Sequence, residues 1–456
     1  MLEVTAGTQT KGFMKHLTRG AGLRAALLAL AVCLAGAAGG AGAEAATAAE
    51  VAAYRKAVGA RFTAWLADLR REAIEKGISG ETFDAAMKGV RPDWTLRDLA
   101  PPDLGPDGPP RPRRETTARQ KQQPEFDRPA RYFPKNGLAY VTRLGREQMK
   151  KWGRTLERIE AAFGVEKHVV LAIWGRETAF GRARLPYYAI EALATQAFMG
   201  RRKEKFHEEL LIALGILQEK HVTRARMKSS WAGAMGHTQF LPSDFRNYAV
   251  DFDGDGRRDI WGTIPDALAS TANFLKKNGW EKGKTWGYEV KLPKGFDCTL
   301  EGVANTRSIA EWTELGIVRT RGRKFRQDRL AENAYLVAPA GTLGPAFLVL
   351  NNFAVFRSYN KADLYALYVG HVADRINGGG PFAAGWSRVE SFTRDEMKRL
   401  QTAMANAGLD VGKIDGLIGT VTRAAVGNWQ KKLGRAETCY PTRSLLKLAP
   451  KTLLTE

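Results

Sequence analysis

The segment Val169–Gly181, VVLAIWGRETAFG, sets a carboxylate among apolar residues. In helical geometry Val170, Ile173 and Glu177 fall at i, i+3 and i+7 on one face, and Trp174 flanks the acid. A carboxylate on an apolar stripe is costly to ionise, so its pKa should rise. A general acid needs that shift if it is to keep its proton near neutral pH. The plainer alternative is a glutamate at the edge of the stripe, solvated or paired with Arg176 or Arg182.

Two further segments carry ligand-type residues. Ser230–Pro242, SWAGAMGHTQFLP, brings Ser230, His237, Thr238 and Gln239 together, and Gly233 and Gly236 let the backbone pass close to a ligand. A tight helix-connecting loop would look the same. Asp251–Asp259, DFDGDGRRD, places Asp251, Asp253 and Asp255 at positions 1, 3 and 5 of a calcium loop. Gly256 takes the sharp turn and Asp259 the ninth position. Carboxylates this dense repel one another without a cation. Gly262 replaces the bidentate glutamate at position 12, and Asp266 is the residue that could close the site. An Asp-Gly turn without metal is the alternative. The histidines, at 16, 168, 207, 221, 237 and 371, form no HExxH pair, and the chain has no P-loop and no G-x-S-x-G elbow. His168, at a helix start, reads as structural.

These segments need helices to hold them. Residues 48–95 read as helical, with Phe62, Trp65, Leu66 and Leu69 on one face, Gly77 a stop and Ser79 a cap. Residues 138–280 are mostly helical, 285–356 mix short β-prone runs with turns, and 361–376 form a last helix. Six prolines in 101–120 predict a loop or disordered insertion outside the core. Asn377-Gly378-Gly379-Gly380-Pro381 marks a break before a compact basic module at 388–450. The fold class is mainly α (α+β), with small β elements. The organisation expected is a leader at 1–45, an N-terminal helical part at 46–100, the insertion at 101–120, the main unit at 121–378 and the module at 388–450.

The 456 residues carry 70 Lys+Arg against 48 Asp+Glu, a formal charge of +22. Such a surface favours polyanions: nucleic acid, an anionic membrane or an acidic wall. Without zinc-finger spacing or a pure Lys/Arg block, nucleic acid is not the expected partner. Cys298 and Cys439 lie far apart without metal-ligand spacing, and two unpaired thiols are expected, with a disulfide as the alternative. Lys15, Arg19 and Arg24 precede the apolar run 25–38, and small residues around Ala43 and Ala45 follow, the pattern of a cleaved signal peptide whose true start is Met14. Cys33 offers a lesser lipoprotein reading. The expectation is an exported chain without a retained transmembrane segment.

Taken together and in order, the segments resemble the B-type family of lytic murein transglycosylases, glycoside hydrolase family 103. The resemblance rests on Glu177–Gly181, Trp231–Pro242, and the acidic loop followed by Trp261 and Asp266. It extends through Gln123–Phe126, Arg201-Arg202, and Asn352 to Tyr359-Asn360, covering roughly residues 50–376. It implies a lysozyme-like catalytic domain acting on peptidoglycan glycan strands in the periplasm, as a monomer. Glu177 would act as acid and then base, and the muramic acid 6-hydroxyl as internal nucleophile. The lack of a second carboxylate near Glu177 in any motif fits that chemistry, since hydrolytic glycosidases use two. By position, Ser230 and Asn360 would hold the reacting sugar. Gln239, Tyr359, Arg201 and Arg202 would line the cleft. Asp251, Asp253, Asp255 and Asp266, with the backbone oxygen of Arg257, would bind a structural calcium that the chemistry does not require. His237 and Thr238, an extra residue between Trp261 and Asp266, and the proline-rich insertion depart from the family pattern.

The 388–450 module resembles the three-helix peptidoglycan-binding domain, through Leu400-Gln401, Gly408, Ile414-Asp415-Gly416, Gly419, Thr422, Ala425 and Trp429-Gln430. Its expected role is to raise local substrate concentration. The competing readings are a hydrolytic muramidase, a non-catalytic wall-binding scaffold and a calcium-regulated signalling protein.

Overall fold

A computed structural model describes residues 47–112, 128–386 and 389–449. The leader expected at 1–45 and the Gln123–Phe126 motif lie outside these residues.

The first helix, Ala48–Glu75, opens with a capping box: Thr47 Oγ1 accepts from the Glu50 amide at 3.2 Å, and the Glu50 carboxylate accepts from the Thr47 amide at 2.7 Å. Gly77 ends it at φ +86°, and Ser79 caps the next helix, Gly80–Met87. The helical reading of 48–95 therefore overran: Gly89 takes φ +76° and Pro92 follows, so the chain continues as coil. Phe62 and Leu69 are buried, and Trp65 and Leu66 pack against the same core.

The described half of the proline-rich stretch, 101–112, has no helix or strand, but it is not free of the core. Leu104 is buried with Tyr54, Val58 and Leu99. The Tyr54 hydroxyl donates to Pro102 O at 2.6 Å, and Arg61 donates to the carbonyls of Asp103 and Leu104. The expectation that this segment lies outside the core is corrected there.

At the centre stands the helix Lys167–Thr178, here the glutamate helix. Val169 through Gly175 are all buried, as a helix apolar on every side must be. Around it pack Lys135–Lys151, Ile264–Lys277 and Asp363–Ile376, the last here the tyrosine helix. Ala189–Met199 and Lys203–Gln218 pair beside them. Strands β1 (Tyr187–Tyr188) and β2 (Lys228–Ser229) form a short antiparallel pair. Strands β3 (Gly287–Lys291), β4 (Arg307–Ser308), β5 (Val318–Arg319), β6 (Asn333–Val337) and β7 (Ala346–Val349) make an antiparallel sheet in the order β4-β6-β7-β3-β5. One face buries Trp312, Ile309, Leu336 and Leu348 in a core of its own.

The C-terminal unit has helices Arg394–Asn406, Thr420–Lys432 and Arg443–Leu446 around Leu400, Met404, Val426 and Tyr440. It is fastened to the sheet unit. Cys298 and Cys439 are joined in a disulfide, Cα to Cα 5.9 Å, which corrects the expectation of two unpaired thiols. Beside it the buried Arg423 guanidinium grips Glu301 with bonds of 2.6 and 2.8 Å. Gly427 permits the contact, because a Cβ there would lie 2.4 Å from the Cys439 sulfur.

Candidate active site

The glutamate helix ends in three consecutive left-handed residues, Ala179, Phe180 and Gly181, at φ +48°, +61° and +80°. Two of them carry side chains, a strain that surrounding packing must hold in place. Phe180 turns back onto the helix, where a Cβ at Gly175 would fall 2.7 Å from its ring. Thr178 fastens the turn: its hydroxyl accepts from the Gly181 amide at 3.2 Å and donates to the His237 carbonyl at 3.3 Å. A Cβ at Gly181 would lie 2.3 Å from the His237 ring. The E-T-x-x-G spacing is thus a device for docking the 230–242 loop beside Glu177.

Glu177 is partly open to solvent, and its Oε1 accepts from the Tyr365 hydroxyl at 2.6 Å. Desolvation raises its carboxyl above the ordinary carboxylate range and outweighs the Tyr365 hydrogen bond and the Arg176 charge, which both favour the ionised form. Arg176 is held among aromatic faces, 4.6 Å from the Tyr132 ring centroid and 4.9 Å from that of Tyr368. Tyr359 stacks on Tyr365, centroids 6.4 Å apart at 11°, and donates to the Thr238 carbonyl at 2.7 Å. Glutamate, tyrosine helix and loop are therefore one connected unit.

The loop residues keep specific hydrogen-bonding capacity for a ligand. Ser230 Oγ accepts from the amides of Ala232 and Ala234 at 3.4 and 3.2 Å, so its own hydrogen remains to be donated. Gln239, at φ +53°, spends its Nε2 on the carbonyls of Ala234 and Gly236, which leaves Oε1 to accept. Asn360 is exposed; its Oδ1 accepts from the Ala362 amide at 3.1 Å, and its amide hydrogens remain. Arg201 and Arg202 stand at the corner before Lys203–Gln218 and both reach Asp98, at 3.3 and 3.4 Å. No contact ties them to Glu177, Ser230 or Gln239.

In the acidic loop Asp251, Asp253 and Asp255 bring one carboxylate oxygen each within 4.8 Å of one another. Asp251 also accepts from the amides of Gly254, Asp255 and Gly256, which curls the loop around that point. Asp266 is not in that trio. It is buried beneath the loop and accepts from the amides of Phe252, Asp253 and Asp259, so it braces the loop. Asp259 likewise turns inward, to the amides of Trp261 and Gly262. The Arg257 side chain folds back onto Asp255.

Sequence reasoning missed Tyr365, and it set His237 aside as a departure. Trp174 Nε1 donates to His237 Nδ1 at 3.1 Å, and desolvation lowers the His237 pKa, so the ring serves as a neutral acceptor.

A desolvated glutamic acid on a core helix, with a small-residue loop of unspent donors and acceptors docked beside it, stands at the centre of a lysozyme-like fold. The chain belongs to the transglycosylase SLT domain family, whose model matches residues 61–374, and residues 393–448 match a peptidoglycan binding domain. It is 32% identical over 227 residues to membrane-bound lytic murein transglycosylase B of Escherichia coli (strain K12), covering 48% of this chain and 60% of that relative. SltB3 of Pseudomonas aeruginosa, solved in complex with NAG-NAM-pentapeptide, is 39% identical with a TM-score of 0.76, covering 85% of this chain and 98% of that one. Its complex with NAG-anhNAM-pentapeptide matches at 40% identity and the same TM-score. Soluble lytic transglycosylase SltB1 of the same organism is 27% identical, with a TM-score of 0.54 over 69% of this chain and all of that one.

Proposed function

We propose that this chain cleaves the MurNAc-GlcNAc bond of peptidoglycan without water, with Glu177 as its acid and then its base. The observation that carries the reading is a desolvated Glu177 whose pKa rises while Tyr365 fixes its orientation. Protonated Glu177 gives its proton to the glycosidic oxygen as the bond to the muramoyl anomeric carbon breaks. The resulting carboxylate takes the proton of the muramoyl 6-hydroxyl, whose oxygen closes onto that carbon. The products are a free GlcNAc 4-hydroxyl and a 1,6-anhydro end, and Glu177 is protonated again. One residue with a pKa near the working pH suffices for both transfers.

The NAG-anhNAM ligand of SltB3 supports this course for a relative that matches over most of its length. Ser230 and Asn360 would donate to the reacting sugar, and Gln239 and Tyr359 would line the cleft. Arg201 and Arg202, partly engaged by Asp98, would meet stem-peptide carboxylates at its end. Asp251, Asp253 and Asp255 fit a calcium ion that would stiffen their loop and take no part in the reaction. The basic charge, the peptidoglycan-binding module and the leader at 1–45 support export to the periplasm. No helix of the described residues is long and apolar enough to cross a membrane.

Digestion of purified peptidoglycan by the chain and by its Glu177→Gln variant tests the proposal, with products weighed by mass spectrometry. Anhydro ends from the first, absent from the second, are expected. Reducing ends carrying an added water would replace the proposal with a muramidase.

A further inference from the structure

Between the sheet and the C-terminal end of the tyrosine helix lies an open cavity of about 470 Å³, within the range of small-ligand sites. It is distinct from the cleft. Tyr365 and Asp374 are nine positions apart on that helix and so project from opposite sides: Tyr365 meets Glu177, and Asp374 accepts from Trp286 Nε1 at 3.1 Å.

Five arginines line this cavity, and two of them are neutralised. Arg326 holds Asp328 through two bonds of 2.9 Å, and Arg329 pairs with Glu332 at 2.7 Å. Arg319, Arg321 and Arg323 form no ion pair among the described residues. Arg319 lies 4.7 Å over the Tyr288 ring and donates to the Lys324 carbonyl at 3.2 Å. Desolvation lowers its pKa, and the like charge of Arg323 adds to that effect. Arg321 donates to the Pro381 carbonyl at 2.6 Å from a left-handed backbone at φ +60°, a conformation rare for a residue with a side chain.

Neither acid of the wall is in ion-pair contact with these three arginines among the described residues. The Glu289 carboxylate is taken by the amides of Ala383 and Ala384, at 2.8 and 2.7 Å. Asp374 has Trp286 as its hydrogen-bond partner and no cation among the described residues. The cavity therefore presents three arginines without an ion-pair partner, the Asp374 carboxyl, and walls made by the aromatic rings of Trp286, Tyr288 and Phe382. A lone inorganic anion would satisfy the arginines only and leave most of the space unfilled.

We infer that this cavity binds a peptide carrying both carboxylates and a free amine, the chemistry of a peptidoglycan stem peptide. The carboxylates would pair with Arg319 and Arg323, which suit planar two-pronged recognition, and the amine with Asp374. The inference rests on the proposed substrate. Being on the far side of the tyrosine helix, the site would hold a stem away from the bond being cut.

The test is calorimetric titration of the full wild-type chain with a synthetic stem tripeptide ending in a diamino acid, beside inorganic phosphate. Saturable tripeptide binding is expected, weakened at least tenfold in the Arg319→Gln/Arg323→Gln double variant and partly restored by Lys at both positions. Acetylating the free amine should weaken binding to wild type and make it indifferent to Asp374→Asn. Unchanged unfolding midpoints would separate these effects from misfolding. No tripeptide binding, binding indifferent to the arginine variants, or binding of phosphate alone would overturn the inference. Cleavage of glycan strands stripped of stems reads the proposed reaction separately, so the two can fail independently.

Discussion

Tyr365 donates its phenolic hydrogen to Glu177 Oε1 across 2.6 Å, joining the tyrosine helix to the one carboxylate on the core helix. The bond holds the carboxylate in one orientation and favours its ionised form. Desolvation pushes the other way and prevails. The acid is thus poised between two opposed influences, and each can be removed separately.

Tyr365→Phe removes the influence that favours ionisation. The Glu177 pKa should climb further, and the alkaline limb of the pH-rate profile, which marks loss of the acidic proton, should move to higher pH. Loss of the orienting bond should also lower kcat by about ten- to a hundredfold, the worth of a hydrogen bond to a charged group. A profile measured on purified peptidoglycan checks both. An alkaline limb that stays in place or moves down would remove Tyr365 from control of the acid.

Gly181→Ala tests whether the turn after the glutamate helix sets the site. The new Cβ would enter the His237 ring position, and φ there is +80°. The loop must retreat or the turn must unwind. Destabilisation of about 1–3 kcal/mol is expected, as for overpacking, with a larger loss of turnover than of wall binding. Urea unfolding and a pull-down on insoluble peptidoglycan measure the two.

The local part of this site was legible in the sequence, and the distant part was not. Glu177 stands out because its apolar neighbours recur at helical spacing within one segment. Tyr365 is 188 residues away, inside a run whose other side chains read as core, and only the fold makes it a partner. The disulfide was missed for the same reason, with 141 residues between its cysteines. Asp266 was legible as a partner of the acidic loop by its spacing, whereas the three loop amides its carboxylate accepts from appear only in the fold. Helix ends were clearest where a cap or a positive-φ glycine announced them, as at Gly77 and Ser79.

Calcium should stabilise the folded chain without entering the reaction. At a hundredfold excess over its Kd, an ion bound only to the folded state contributes about 2.7 kcal/mol. Thermal unfolding in EGTA should fall below that in calcium chloride, and Asp251→Asn should erase the difference. Magnesium should substitute poorly in so flexible a ring of carboxylates. An unfolding midpoint indifferent to EGTA would leave the loop as an Asp-Gly turn.

His371 gives the fold a built-in acid sensitivity. Its ring is buried and stacked on Phe382, centroids 3.7 Å apart. Desolvation, with the Arg375 charge second, holds its pKa at about 3, against 6.5 for an ordinary histidine. On acidification the unfolded chain takes the proton first. The stability contributed by the neutral ring is therefore present above pH 6.5 and is lost as pH falls toward 3, at about 1.4 kcal/mol per pH unit. His371→Phe should flatten that part of the stability curve, as read by urea unfolding between pH 7 and 4.

The junction between the two units rests on a cross-link and a buried charge pair, and their loss should differ in kind. Cys298→Ala/Cys439→Ala removes a restraint on the unfolded chain, and about 2–4 kcal/mol should be lost with the docked arrangement otherwise retained. Arg423→Met instead leaves Glu301 buried without its cation, although Glu301 still accepts from the Ala338 amide at 2.8 Å. Breaking one side of such a pair costs about 3–5 kcal/mol, and burial then favours protonated Glu301, so the defect should ease as pH falls. Replacing both partners, Arg423→Met with Glu301→Gln, should recover much of the loss, because no isolated charge remains. Differential scanning calorimetry of the set at pH 5 and pH 8 separates the cases. A cysteine variant that loses the same stability at both pH values, beside an Arg423→Met variant whose loss is greater at pH 8, would identify a covalent restraint and an electrostatic lock acting at one junction.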